Sequence, residues 1–106
     1  MEKTFYQQVI YLIKKIPKGK IATYGLIARL AGSPRAARQV SYILHSSSGK
    51  EKLPWFRVVN SQGKISLRSG AGLETQKKLL EDEGIEFRED GSIDLKLFLW
   101  KNINIE

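Results

Sequence analysis

Two breaks in the first forty residues fix the architecture of the N-terminal half. Pro17-Lys18-Gly19 ends one helical pattern, and Ala31-Gly32-Ser33-Pro34 separates two more. Proline cannot continue a helix, and glycine accepts the left-handed conformation in which helices stop. Thr4 is placed to cap a first helix, whose Phe5, Val9, Leu12, Ile13 and Ile16 recur at helical spacing. Thr23 is placed to cap a second, carrying Leu26, Ile27 and Leu30. Ala31 and Gly32 then read as a stop, Ser33 as the next cap and Pro34 as a first-turn residue. The third helix turns Ala36, Val40, Ile43 and Leu44 inward and carries Arg35 and Arg38 outward. A short helix, a tight glycine turn and an arginine-bearing helix form the outline of a helix-turn-helix. An ordinary αα-corner gives the same pattern.

The rest of the chain reads less firmly. Residues 46–50 (Ser-Ser-Ser-Gly-Lys) read as a loop. Residues 56–59 and 64–67 flank Asn60-Ser61-Gln62-Gly63 and predict a small β-hairpin. Residues 68–72 form a second glycine-rich loop, and 73–83 a fourth helix stopped by Gly84. The tail, 85–105, alternates around Glu89-Asp90-Gly91-Ser92 and predicts short strands ending near Trp100. The expected fold is mainly α: one domain over 1–106, a winged-helix-like helix-turn-helix with a small β-hairpin and short C-terminal strands.

Charge is unevenly spread. Of the net +7, residues 1–50 carry nine Lys/Arg against one acidic residue, while 51–106 carry nine against ten. So one-sided an N-terminal half points to a polyanionic partner, although a solvated basic face has the same composition. The 106 residues contain no cysteine, which removes disulfides, thiolate metal sites and every cysteine-nucleophile mechanism. His45, the lone histidine, has no cysteine or acidic cluster beside it and reads as a surface or helix-end residue rather than a metal ligand. Glu81, Asp82 and Glu83 precede Gly84 as a solvated run. No metal, cofactor or catalytic residue is assigned. No apolar run approaches the ~18 residues of a membrane span. The expectation is a cytoplasmic, nucleoid-associated protein.

The segment Leu53-Pro54-Trp55-Phe56-Arg57-Val58-Val59 resembles the Pro-Cys-His-Arg-Val active-site loop of the O6-alkylguanine-DNA alkyltransferases. Its flanks are similar to the same family: Ile16-Pro17-Lys18-Gly19-Lys20, Thr23-Tyr24-Gly25-Leu26-Ile27-Ala28, Ser33-Pro34-Arg35-Ala36-Ala37-Arg38-Gln39-Val40, Asn60-Ser61-Gln62-Gly63, and Leu79-Leu80-Glu81-Asp82-Glu83-Gly84. Tryptophan in place of cysteine marks the alkyltransferase-like, non-enzymatic branch.

The resemblance implies a helix-turn-helix docked in the DNA minor groove, with the damaged nucleotide swung out of the stack. By the same resemblance Tyr24 crowds the phosphate and helps rotate the nucleotide, and Arg38 enters the stack and fills the gap. Planar, permanently charged arginine suits that task. Arg35, with the small Ala36 and Ala37, belongs to the DNA-facing surface. A lesion pocket of Pro54, Trp55, Arg57, Val58, Ser69 and Glu83 is implied. Trp55 stands at the nucleophile position, Phe56 at that of the activating histidine, and Glu83 at that of the relay glutamate. Neutral indole cannot replace a thiolate and Phe56 cannot carry a proton, so alkyl transfer is expected to be absent. Trp55 remains as an aromatic wall, and Phe56 is expected to be structural. Ser47 stands at the family's hinge asparagine, and Trp100 closes either the pocket or the core. The implied partners are double-stranded DNA carrying O6-alkylguanine and nucleotide excision repair proteins of the UvrA type, with the protein itself a monomer. Two other readings compete. A sequence-reading transcriptional regulator needs polar side chains for the major groove, and Ala36, Ala37 and Val40 supply few. A base-processing enzyme needs a general acid or base, for which Glu83 is the sole candidate.

Overall fold

The computed structural model describes residues 3–101. Thr4 caps α1 (Phe5–Lys15) reciprocally: its hydroxyl accepts the Gln7 N–H at 3.1 Å and Gln7 Oε1 accepts the Thr4 N–H at 3.0 Å. After the turn at Pro17 come β1 (Ala22–Thr23) and α2 (Tyr24–Leu30), capped by the Thr23 hydroxyl on the Leu26 N–H at 3.0 Å. Then follow α3 (Ala37–Glu51), a single 3-10 turn (Trp55–Arg57), β2 (Val58–Val59), α4 (Leu73–Asp82) and one-turn α5 (Leu95–Phe98). The mainly α, helix-turn-helix expectation holds.

α3 departs from its expected limits at both ends. Ser33 and Pro34 do not open it; residues 34–36 stay in the turn and the helix starts at Ala37. At the far end, the stretch 46–50 is helix rather than loop. Its hydroxyls bond locally instead of breaking the chain: Ser46 Oγ donates to Tyr42 O at 3.0 Å and Ser48 Oγ to Leu44 O. Ser47, buried, pairs with the Tyr6 hydroxyl of α1 at 3.0 Å. The stop comes at Lys52, left-handed at φ 56°, where the Leu53 N–H reaches back to Ser48 O.

The expected hairpin is not formed. β2 pairs in parallel with β1, Ala22 opposite Val58 and Thr23 opposite Val59. The turn itself is present, because Asn60 Oδ1 accepts the N–H groups of Gln62 and Lys64 at 2.9 and 3.0 Å. Beyond it the chain does not return along β2. Gly63, at φ +76°, lies so close to Ile93 that a Cβ would sit 2.6 Å from the Ile93 carbonyl oxygen, and it accepts the Ile93 N–H at 2.8 Å. Val58 and Val59 are both buried, the mark of a strand covered on both faces. Nor are strands formed in the tail among the described residues. Isolated bridges join Phe87 to Ile93 and Ile21 to Leu99, with α5 between them unforeseen.

Two apolar clusters meet at β2. One gathers Val9, Ile13, Ile16, Ile27, Val40 and Val58; the other gathers Ile21, Val59, Leu80, Ile85 and Ile93. Successive strand side chains point oppositely, so Val58 enters one cluster and Val59 the other. The 3-10 turn repeats the split: Trp55 packs on the first cluster and Phe56 on the second. Phe56 is thus structural, half-buried and edge-on to Trp55 at 5.9 Å between centroids. Trp100 packs on the first cluster and donates its backbone N–H to Ile21 O at 2.7 Å, so it closes the core. Among the described residues no helix is long and apolar enough to cross a membrane.

Candidate nucleic-acid interface and base-sized cavity

The turn between α2 and α3 is stabilised by Gly32, at φ +94°, and by the Ser33 N–H donating to Ala28 O at 2.9 Å. It delivers Ser33, Pro34, Arg35, Ala36, Arg38 and Gln39 to one open surface groove. Arg35 and Arg38 are exposed, while Ala36 and Ala37 are half-buried. Arg35 in the turn and Arg38 on the first turn of α3, beside the small Ala36 and Ala37, make a surface able to approach a polyanion closely. Ala37 is next to this groove in sequence but does not line it.

A cavity of about 350 Å³ opens between α2, α3, the 3-10 turn and α4. It is lined by Tyr24, Trp55 and Val58, which the sequence singled out, and its volume lies in the range of small-molecule sites. Tyr24 gets there as the first residue of α2, fixed by the Thr23 cap. Burial raises the pKa of its phenol above the ordinary value, and a hydrogen bond with Ser66 opposes part of that rise. Tyr24 is therefore a neutral hydroxyl at physiological pH.

Four residues assigned to this pocket lie outside its lining. Pro54 only precedes the 3-10 turn. Ser69 Oγ donates to Glu74 Oε2 at 2.6 Å, tying the 68–72 loop to the start of α4. Arg57 and Glu83 face the other way and bind each other. Arg57 Nε lies 2.9 Å and Nη2 2.5 Å from the Glu83 carboxylate, and Arg57 Nη1 donates to Ile16 O at 2.9 Å. Glu83 also accepts the Gly19 N–H at 3.1 Å. Burial alone would raise the Glu83 pKa, but bonds from Arg57 and Gly19, with the charges of Arg57 and Lys18, outweigh it and hold the carboxyl below its usual range. Residue and charge are thereby committed to joining the 3-10 turn to the Pro17 turn.

The sequence reading missed Ser41, His45 and Ser48 on the α3 wall, Leu67, Ala71 and Gly72 on the rim, and Gln76. Ending α3 at His45 concealed that 41, 45 and 48 share one helical face. His45 is exposed, but within α3 and on the cavity edge rather than at a helix end. Gln76 had a legible signal: a polar residue between Leu73 and Leu80 on the inward face of α4. It is buried, and Nε2 donates to Phe56 O at 3.0 Å and Val58 O at 3.1 Å, clamping the turn that carries Trp55.

The fold and groove define a helix-turn-helix DNA-binding domain. The chain belongs to the family of the 6-O-methylguanine DNA methyltransferase DNA-binding domain, whose model matches residues 4–85. It is 52% identical over 97 residues to a DNA base-flipping protein of Vibrio parahaemolyticus, covering 92% of this chain and 96% of that one. It is 41% identical over 102 residues to alkyltransferase-like protein 1 of Schizosaccharomyces pombe, covering 92% and 94%. The crystal structure of S. pombe Atl1 with damaged DNA containing O6-carboxymethylguanine matches with a TM-score of 0.81 at 39% identity, over 94% of this chain and 99% of that one.

Proposed function

We propose that this protein binds O6-alkylguanine in duplex DNA, rotates the damaged nucleotide out of the stack into the Trp55 cavity, and holds it without removing the alkyl group. The observation that carries this reading is Trp55. In a loop matching the family's active site, it walls a base-sized cavity in a chain that has no thiol. Extrusion costs a few kcal/mol. Contact of the base with an aromatic wall is worth about 1–3 kcal/mol, and Arg38 filling the vacated stack offsets the remainder. The relatives named above support the reading, being a base-flipping protein and an alkyltransferase-like protein.

Glu83, the acid or base that the sequence suggested for an enzyme, is held by Arg57 outside the cavity lining. That favours a holder over an enzyme. A protein that marks a lesion without repairing it needs a partner. We assign that role to nucleotide excision repair proteins of the UvrA type, recruited by a monomer working on nucleoid DNA in the cytoplasm.

Incubation with an equivalent of O6-methylguanine duplex, followed by mass analysis, tests the non-enzyme claim. A complex should form, and both base and protein should be recovered at unchanged mass. Trp55→Cys should not gain transfer, because Phe56 stands where the family's activating histidine would take the proton of the new thiol. Methyl gain by the wild-type protein, or efficient transfer by the variant, would contradict this account.

A further inference from the structure

The cavity wall supplied by α3 is chemically unlike the rest. Trp55, Val58 and Leu67 are apolar, whereas α3 contributes Leu44 and, on consecutive turns of one helix face, the three hydrogen-bonding groups of Ser41, His45 and Ser48. The Ser48 proton goes to Leu44 O. Ser41 and His45 make no hydrogen bond or ion pair among the described residues, although Ser46 and Ser48 beside them do. The imidazole donates in either tautomer, and the serine hydroxyl donates freely. Among the described residues no carboxylate lines the cavity, and the phenol of Tyr24 is neutral. At about 350 Å³ the space admits a base with an extended substituent. Such a wall offers donors that no group among the described residues uses and no negative charge to repel an anion.

We infer that Ser41 and His45 form a subsite for O6-substituents ending in a carboxylate or another hydrogen-bond acceptor, with His45 the specificity-determining residue. This rests on the lesion-binding reading and adds a preference by terminal chemistry. The substituent lies against Trp55, and its polar end turns to the α3 wall instead of meeting apolar side chains. An all-carbon end of the same shape covers both exposed donors without pairing them, so they lose their water and gain no partner.

O6-carboxymethylguanine and O6-isobutylguanine are matched in shape and heavy-atom count and differ at the terminal atoms. Titration of labelled duplexes should give about tenfold tighter binding for the carboxymethyl lesion, the scale of one charge-assisted hydrogen bond. In His45→Leu the ratio of the two affinities should fall towards one, and in His45→Gln, which keeps a donor, part of it should return. The ratio cancels any loss common to both lesions. Equal binding of the two by the wild-type protein, or an unchanged ratio in His45→Leu, would overturn the inference. O6-methylguanine duplex, run alongside, separates the failures. If it binds no better than undamaged duplex, the lesion reading itself falls; if it binds well and the ratio does not respond, the subsite alone falls.

Discussion

Glu83→Gln is expected to lower the stability of the domain by about 3 kcal/mol and its melting temperature by roughly 10–20 °C. The Glu83 and Arg57 side chains are 9% and 16% exposed, so removing the carboxylate charge leaves a largely buried guanidinium without its partner. Because Ile16 O and the Gly19 N–H hang on the same pair, the junction of the Pro17 turn with the 3-10 turn loosens with it. The effect depends on pH in a defined direction. The folded-state pKa of Glu83 is depressed, so its contribution is complete above the unfolded carboxyl value of about 4.3. It is lost as pH falls through the lower folded value. Thermal melts of both proteins should therefore differ most near neutrality and converge in acid. Replacing both partners by apolar residues, Arg57→Met with Glu83→Leu, should cost less than the single change, because no orphan charge remains. A single variant melting within about 2 °C of wild type would show that the pair is not a structural anchor.

The second large effect concerns DNA. Arg38→Ala should weaken binding to lesion duplex at least tenfold, since an intercalated side chain replaces the stacking lost on extrusion. Arg38 is exposed, so the melting temperature should barely move. At Tyr24 the structure selects a different variant. The ring packs against the first apolar cluster, so Tyr24→Ala removes core contacts as well as the hydroxyl. Tyr24→Phe keeps the packing and isolates the hydroxyl, and should cost several-fold in lesion affinity with little loss of stability. Binding unchanged in Arg38→Ala would remove that arginine from the mechanism.

Much of this molecule is readable from its residues, and the failures have physical causes. α1, α2 and the arginine-bearing turn were legible because caps, helical spacing and glycine stops agree with one another. The end of α3 was not, because serine favours loops in isolation, whereas here each hydroxyl has a local carbonyl or Tyr6 to bond. The hairpin failed because its turn signal was real but local. Pairing of β2 with β1 and the docking of Gly63 on Ile93 are contacts over more than thirty and about thirty residues, beyond the reach of local pattern. At the site, Trp55 and Val58, expected in the pocket, line the cavity, and so does Tyr24, expected at the DNA phosphate. Adjacency misled for Arg57: two residues after Trp55 in a tight turn, it points to the opposite side. Glu83 followed it there as its partner.

The central claim is preference for damage, and it is tested most directly by fluorescence titration of two duplexes identical except for one O6-methylguanine, at fixed ionic strength. Phosphate contacts give both the same salt-sensitive background. The lesion duplex should be bound at least tenfold more tightly than its undamaged twin. Equal affinities would contradict it and leave a basic helix-turn-helix that holds DNA without reading damage.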